Sequence, residues 1–214
     1  MKIKKIETAL SPEKLSALLD AATKEQIKVV NWPSVASYCP QVEFSILHDG
    51  DNIYIKYWVK EQATLAHVTK DFGEVWTDSC VEFFISFGTG YYNIEFNSIG
   101  YGLASFRTRR EPEFATAASS ELMAKIERYP SLHRTSFDEQ CVEEWNIMLK
   151  LPKELFINES LATLDGVKAT ANFYKCGDNL TVPHFVSWNP IEVETPNFHI
   201  PSFFKEIEFA NTIE

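Results

Sequence analysis

The chain has 214 residues and carries 30 Asp and Glu against 20 Lys and Arg, a formal net charge of −10 at pH 7. This acidic balance argues against nucleic acid or an anionic membrane as the main partner, because both bind basic surfaces. With 16 Phe, 8 Tyr and 5 Trp, the composition indicates an aromatic-rich β protein suited to stacking on flat ligands such as sugars. The length suits one large domain or two small ones.

The chain lacks the apolar segments that lead into or across a membrane. No run approaches the roughly 18 apolar residues of a membrane span. The start, Met1–Glu7, is basic but lacks the apolar stretch of a secretory signal. The chain as given therefore predicts a cytoplasmic protein, or an extracytoplasmic one if a signal peptide has been removed.

The first predicted element is a short helix over residues 12–22. Ser11 suits the N-cap position and Pro12 the first helical position, and leucines follow at helical spacing. We expect residues 1–29 to form an extension that packs on a β-sandwich over residues 30–214.

The pattern then changes to period two, which is typical of strands. Residues 44–48 and 53–59 flank an Asp-Gly-Asp-Asn turn and predict a β-hairpin. A second hairpin is predicted within residues 79–98, because Gly88 and Gly90 give the backbone freedom that a two-residue loop at Gly88-Thr89 needs. The resulting register gives one continuous apolar face by pairing Val81 with Phe96, Phe83 with Ile94 and Ile85 with Tyr92.

The same register places Glu82 directly opposite Glu95. Their β-carbons would lie roughly 4.5–5.5 Å apart, a distance at which like charges destabilise a strand pair. An arginine, a bound cation, a shared proton or a ligand with hydroxyl groups would compensate. The alternative is that both side chains turn into solvent.

The rest of the chain adds short strands and little helix. Residues 107–140 allow a short helix or a strand near Met123–Arg128, and a single helical turn follows Pro152. Further strands are predicted over residues 144–151, 167–175, 185–188 and 204–209. Seven or more strands separated by turns predict an all-β fold, a β-sandwich of two antiparallel sheets in one domain.

Motifs for catalysis or metal binding are scarce. No phosphate-binding glycine loop and no GxSxG sequence occurs, and the five histidines lack zinc-ligand spacing. The cysteines are far apart and form no CxxC pair, so we predict buried free thiols rather than a zinc site or disulfides; they are Cys39, Cys80, Cys141 and Cys176. No catalytic residue or metal ligand is therefore assigned.

Four segments together resemble the family 9 carbohydrate-binding modules, in particular the stand-alone "family 9-like" branch. In chain order these segments are 75–84, 91–97, 172–178 and 187–199. The resemblance implies an immunoglobulin-like or jelly-roll-like sandwich that binds a mono- or oligosaccharide and does no chemistry itself. Because relatives are often attached to xylanases, it also implies a role in xylan-type polysaccharide breakdown beside a glycoside hydrolase partner.

The resemblance also implies a binding site. In that family two tryptophans sandwich a terminal sugar; Trp76 matches the first, and Phe198 stands at the position of the second. Glu82 matches a sugar-binding acid and Tyr174 a polar contact. Some members bind structural calcium, but no ligand set here assigns such a site. With neighbours on the same face and loop, the predicted ligand-binding residues are Trp76, Glu82, Glu95, Asn97, Arg107, Tyr174, Trp188, Asn197 and Phe198.

Several roles stay open at this point. Arg107 would neutralise the carboxylate pair, and Trp188 is either a core residue or a partial substitute for the missing tryptophan. The alternative functions are a glycoside hydrolase that uses Glu82 and Glu95, a haem-binding domain, and a structural or partner-binding sandwich with a vestigial sugar site.

Overall fold

A computed structural model describes residues 1–134 and 142–213, so Cys141 lies outside the described part of the chain. The helices are α1 (Pro12–Ala21) and α2 (Ser120–Lys125). The strands are β1 (Lys2–Lys5), β2 (Glu25–Gln26), β3 (Val29–Val30), β4 (Gln41–His48), β5 (Asn52–Glu61), β6 (Cys80–Ser86), β7 (Tyr91–Asn97), β8 (Gly102–Arg107), β9 (Ala115–Ala117), β10 (Glu127–Arg134), β11 (Glu143–Pro152), β12 (Lys168–Cys176), β13 (Phe185–Ser187) and β14 (Lys205–Ile213).

The strands form one strongly curled sheet whose two halves pack on each other. The order is β10-β11-β5-β4-β1-β14-β12-β6-β7-β8-β9. We call β10, β11, β5 and β4 the β4 layer, and β12, β6, β7 and β8 the β6 layer. Within each layer the strands are antiparallel, which confirms the predicted sandwich.

The N-terminal strand β1 is one of the strands that the sequence did not predict, as are the short strands β2, β3 and β9. It runs parallel to β4 and to β14, and so joins the two layers through one edge. Ile3 is buried while the lysines beside it are not. Because Ile3 is the one apolar residue among the four of β1, the sequence shows no alternation of apolar and polar residues there. The sheet is therefore mixed rather than purely antiparallel.

The helix predicted near residues 12–22 is confirmed as α1. The Ser11 side chain accepts a hydrogen bond from the Lys14 amide, and Pro12 occupies the first turn. Leu15 and Leu19 pack against Leu47, Tyr54 and Met148 on the outer face of the β4 layer. Neither helix of the described residues is long and apolar enough to cross a membrane. The boundary at residue 29 stays a prediction.

The described part of the segment 107–140, residues 107–134, contains both of the structures that the sequence allowed. Helix α2 begins after Ser119, whose side chain accepts from the Leu122 amide, and β10 follows at Glu127. The single turn after Pro152 is confirmed as a 3₁₀ turn, Lys153–Leu155.

The core fills the space between the two layers. Phe44 of β4 stacks on Phe173 of β12 with ring centroids 3.8 Å apart, and the Tyr57 hydroxyl donates to the Glu82 carbonyl oxygen. The predicted β6–β7 register is confirmed at every position, and its apolar residues are buried in this core. Because side chains alternate along a strand, the residues between them face outward. The outer face of the β6 layer is therefore where Glu82 and Glu95 lie.

Candidate functional site

A cleft of about 650 Å³ lies on the outer face of the β6 layer, within the size range of small-molecule sites. Strand residues form its floor, and the loops before β6 and after β13 form its walls. Its lining combines aromatic rings, carboxyl groups, amides and cations. The lining residues are Trp32, Trp76, Glu82, Asn93, Glu95, Leu103, Arg107, Arg110, Glu111, Pro112, Cys176, Asp178, Phe185, Pro196, Asn197, Phe198 and His199.

The opposed carboxyl groups are at the floor of this cleft and are almost fully buried. Glu82 and Glu95 pair across β6 and β7 as predicted, and they are 3% and 4% exposed. The alternative that both turn into solvent is therefore wrong. Burial raises the pKa of Glu82 well above its ordinary value, helped by Cys176 and Glu95, and burial raises the pKa of Glu95 to about 7. A bound proton thus relieves the repulsion between the two groups.

An amide links Glu95 to the predicted arginine. Asn93 Nδ2 donates to Glu95 Oε1 at 2.8 Å, and Arg107 Nε donates to Asn93 Oδ1 at 3.0 Å. The Asn93 hydrogen bond and the charge of Arg107 both lower the pKa of Glu95 against the larger effect of burial. Arg107 therefore lies in the cleft, where its charge partly offsets that of Glu95 and its Nε donates to Asn93.

Trp76 forms part of the rim. It lies in a 3₁₀ turn, Val75–Thr77, that is anchored by the buried Val75, and its own side chain is 36% exposed. The Asp178 amide donates to the Trp76 carbonyl oxygen, and Cys176 Sγ lies 3.5 Å from the same oxygen. These contacts fix the backbone of the turn and leave the indole free to meet a ligand.

Phe198 is held by the sheet. Its ring stacks on Tyr174 with centroids 4.2 Å apart and an interplanar angle of 8°, and the Tyr174 hydroxyl donates to its carbonyl oxygen. The loop around it is fixed by side-chain amides: Asn189 Nδ2 donates to the Phe203 carbonyl oxygen, and Asn197 Oδ1 accepts from the His199 amide. Phe198 and Asn197 both line the cleft.

Three predicted residues do not line the cleft. Asn97 is fully buried and donates to Val68 and Asp78 at the end of β7, so its side chain holds a loop. Tyr174 lies beneath Phe198 and supports it. Trp188 packs against the core between the two layers, away from the cleft, and its Nε1 donates to Glu25. The core interpretation of Trp188 is the one that its contacts favour.

Other lining residues were not identified from the sequence. Asn93 precedes Glu95 by two residues and shares its face, so the strand alternation could have identified it. Asp178 and His199 have altered pKa values because of burial: that of Asp178 is raised to about 6 and that of His199 is lowered to about 3, the latter aided by Arg107 and Arg110. Trp32 reaches the site from far away in sequence, and no local pattern indicates that.

Two cysteines meet at the floor. Cys80 and Cys176 pair across β6 and β12, and their donor atoms and a Glu82 oxygen all lie within 4.8 Å of one another. Cys176 Sγ donates to Glu82 Oε1 at 3.0 Å. Both are free and buried as predicted, whereas Cys39 is exposed, contrary to the prediction. The spacing of the cysteines in the sequence did not indicate this cluster, because the pairing of β6 with β12 brings Cys80 and Cys176 together and no CxxC motif is involved.

A β-sandwich with an aromatic-rimmed, hydrogen-bonding cleft is the architecture of a sugar-binding module, and comparison with known proteins agrees. The model of carbohydrate-binding family 9 matches residues 13–209. The chain therefore belongs to carbohydrate-binding family 9, which confirms the resemblance seen in the sequence.

Solved structures support the assignment. A Bacteroides uniformis protein proposed to bind carbohydrates is 38% identical, with a TM-score of 0.89 and 98% of each chain covered. Family 9 modules from Caldicellulosiruptor kristjanssonii, in complex with glucose and with cellotriose, share the fold at 11% identity. Their TM-scores are 0.62 and 0.59; the alignments cover 99% of this chain and 96% and 94% of theirs. Among curated proteins, none matches the chain.

Proposed function

We propose that the cleft binds a pyranose at the end of a mono- or oligosaccharide without transforming it. The observation that carries this proposal is the position of Trp76 at the rim above the buried pair of Glu82 and Glu95. A sugar ring presents an apolar face of C–H groups to an aromatic ring and hydroxyl groups around its edge. The cleft offers a partner for each: aromatic rings at the wall and hydrogen-bonding groups at the floor.

The floor of the cleft can both donate hydrogen bonds to hydroxyl groups and accept hydrogen bonds from them. Glu82, with its raised pKa, is a hydrogen-bond donor in its protonated form, whereas ionised Glu95 accepts from a hydroxyl group. Asn197 and Arg110 add an amide and a cation within the same cleft. Since each hydrogen bond replaces one to water, the net gain is only about 0.5–1.5 kcal/mol per bond, so the binding is weak.

The proposed ligand class is supported by the family and by the ligands of its solved relatives. The two Caldicellulosiruptor structures, in complex with glucose and with cellotriose, support a gluco-configured pyranose, and xylose differs from glucose by one hydroxymethyl group. The proposed ligands are therefore the ends of xylan-type or glucan-type chains, and the proposed role is polysaccharide breakdown beside a glycoside hydrolase.

Calorimetry with xylo- and cello-oligosaccharides tests the proposal through Trp76→Ala. Removing the ring face lowers affinity by about tenfold, because aromatic contacts contribute about 0.5–1.5 kcal/mol beyond their buried area. The matched control is Trp58→Ala: Trp58 is a half-buried tryptophan on the outer face of the β4 layer, beneath Lys24. If Trp76→Ala and the unaltered protein bound the sugar with equal affinity, the cleft would not be the sugar site.

Glycoside hydrolysis is the second candidate, and one observation favours it. Two opposed carboxyl groups with raised pKa values resemble an acid and nucleophile pair. Turnover of aryl-glycosides that disappears in Glu82→Gln, with sugar binding retained, would replace the binding proposal. Binding of the sugar without turnover of the aryl-glycosides would support the proposal that the cleft binds sugar and does not transform it.

A further inference from the structure

The group formed by Cys80, Cys176 and Glu82 has no role in the sugar site beyond its carboxyl group. Register places the two cysteines directly opposite each other, and Glu82 follows Cys80 by two residues on the same face. The three side chains thus converge on one point without any loop being involved. Two thiols and a carboxyl group are the donor set of a metal ion rather than of a sugar.

We propose that Cys80, Cys176 and Glu82 form a binding site for a thiophilic divalent cation of the zinc type at the floor of the cleft. Thiolates select soft or borderline cations, and a carboxylate in the set favours Zn²⁺ over Cu⁺. Calcium and magnesium require all-oxygen ligands and do not fit. The proposal shares Glu82 with the proposed sugar site, but it is tested separately, because its readouts follow only the thiols and the cation.

The geometry of the group suits a single ion. Zinc–sulfur bonds are about 2.3 Å and zinc–oxygen bonds about 2.0–2.2 Å, so ligand atoms around one tetrahedral ion lie about 3.5–4 Å apart. Here the donor atoms lie within 4.8 Å of one another, and Cys176 Sγ is 3.0 Å from Glu82 Oε1. Small side-chain adjustments therefore bring all three donors to bonding distance.

An ion can reach the site from solvent. Cys176 and Glu82 both line the cleft, whereas Cys80 is fully buried and does not line it. The fourth tetrahedral position therefore faces the cleft. Asp178 lines the same cleft but is not one of the three donors, so a water molecule from the cleft fills the fourth position.

Cobalt titration tests the proposal, because Co²⁺ takes zinc sites and its thiolate bonds absorb in the near ultraviolet. The titration uses a variant with Cys39→Ser and Cys141→Ser, in which Cys80 and Cys176 are the two remaining thiols. The variant is kept reduced and free of oxygen. We expect one equivalent of Co²⁺ to produce the thiolate band and Zn²⁺ to displace it. Cys176→Ala abolishes the band, and Glu82→Gln weakens binding by about tenfold or more.

Glu111→Gln is the matched control, since it makes the same change at a carboxyl group that lines the same cleft outside the donor set, and it leaves the band intact. Circular dichroism of each variant without metal verifies folding. If Cys80→Ala does not fold, the result for Cys176→Ala decides whether the thiols bind the cation, because the Cys176 side chain lines the cleft. Absence of the band, its persistence in Cys176→Ala, or a thiol pair that only oxidises to a disulfide and takes up no cobalt would overturn the proposal.

Discussion

Tyr174 and Phe198 lie parallel with ring centroids 4.2 Å apart, which joins a strand of the β6 layer to the C-terminal loop. Tyr174 is buried, and its hydroxyl donates to the carbonyl oxygen of the residue that it stacks on. The Phe198 ring is therefore oriented before any ligand arrives. A ring that is already ordered loses little conformational entropy on binding.

Replacing Phe198 by leucine should weaken sugar binding. Leucine keeps an apolar side chain but removes the flat face, so we expect affinity to fall by about three- to tenfold, the equivalent of about 0.5–1.5 kcal/mol. Calorimetry with the best-bound oligosaccharide measures the change. Tyr174→Phe serves as the control, because it keeps the stacked ring and removes only the hydroxyl group; affinity for Phe198→Leu at or above the control value would contradict the prediction.

The stability of the protein should depend on pH through Glu95. Its pKa is about 7 in the folded protein against an ordinary value of 4.5, so between these values the folded state holds a proton that the unfolded state has lost. The contribution of Glu95 is therefore full below about pH 4.5 and is lost as the pH rises through about 7. Relative to Glu95→Gln, the unaltered protein should lose roughly 3 kcal/mol of unfolding free energy over this range.

Urea unfolding of both proteins at about pH 4 and about pH 8 checks this expectation. The control is Glu127→Gln, because hydrogen bonds from Lys150 and Tyr129 lower the pKa of Glu127. That carboxylate stabilises the protein above its ordinary pKa, so the corresponding difference should change in the opposite direction. A pH-independent difference for Glu95→Gln would show that Glu95 titrates normally.

Arg107 should lower the pKa of Glu95. In Arg107→Met the charge is removed and the Arg107 hydrogen bond to Asn93 Oδ1 is lost, so the pKa of Glu95 should rise above its value of about 7. Carboxyl carbon chemical shifts followed across a pH titration by nuclear magnetic resonance report it directly. Lys60→Met, a change at a lysine that pairs with Glu144 on the β4 layer, is the control. A lower or unchanged Glu95 pKa in Arg107→Met would exclude the coupling.

The sequence could predict those parts of the fold and site that depend on neighbours along one hairpin. Alternation on both sides of the Gly88-Thr89 loop determines which residue pairs with which, and so it placed Glu82 opposite Glu95. The strand β1 was missed because its single buried side chain, Ile3, gives no periodic signal.

The remaining site residues depend on contacts between distant segments. Cys80 and Cys176 are opposite each other only because β12 pairs with β6 in one register. Trp32 reaches the cleft because its Nε1 donates to the Val193 carbonyl oxygen, and Asp178 does so because its loop binds the backbone of Trp76. Such long-range pairings leave no local spacing pattern in one sequence.

A buried ion pair on the inner side of β12 gives the last prediction. Lys175 Nζ lies 2.8 Å from Glu61 Oε2, with both side chains fully buried, and Trp145 Nε1 donates to Glu61 Oε1. Glu61 Oε2 accepts no well-aligned hydrogen bond, so Lys175 compensates its charge through proximity. Lys175→Met leaves that carboxylate without a cation, which should cost about 3–5 kcal/mol of unfolding free energy.

Removing both charges should cost much less than removing one. In the double variant Glu61→Gln/Lys175→Met no buried charge is left alone, and the introduced glutamine amide would retain an oxygen for the indole of Trp145. We therefore expect urea unfolding to show that the double variant is more stable than Lys175→Met, because the large penalty comes from an uncompensated ion rather than from the lost attraction. If the double variant were no more stable than Lys175→Met, the loss would instead come from the packing and hydrogen bonds of the lysine, among them its contact with His184 at 2.7 Å.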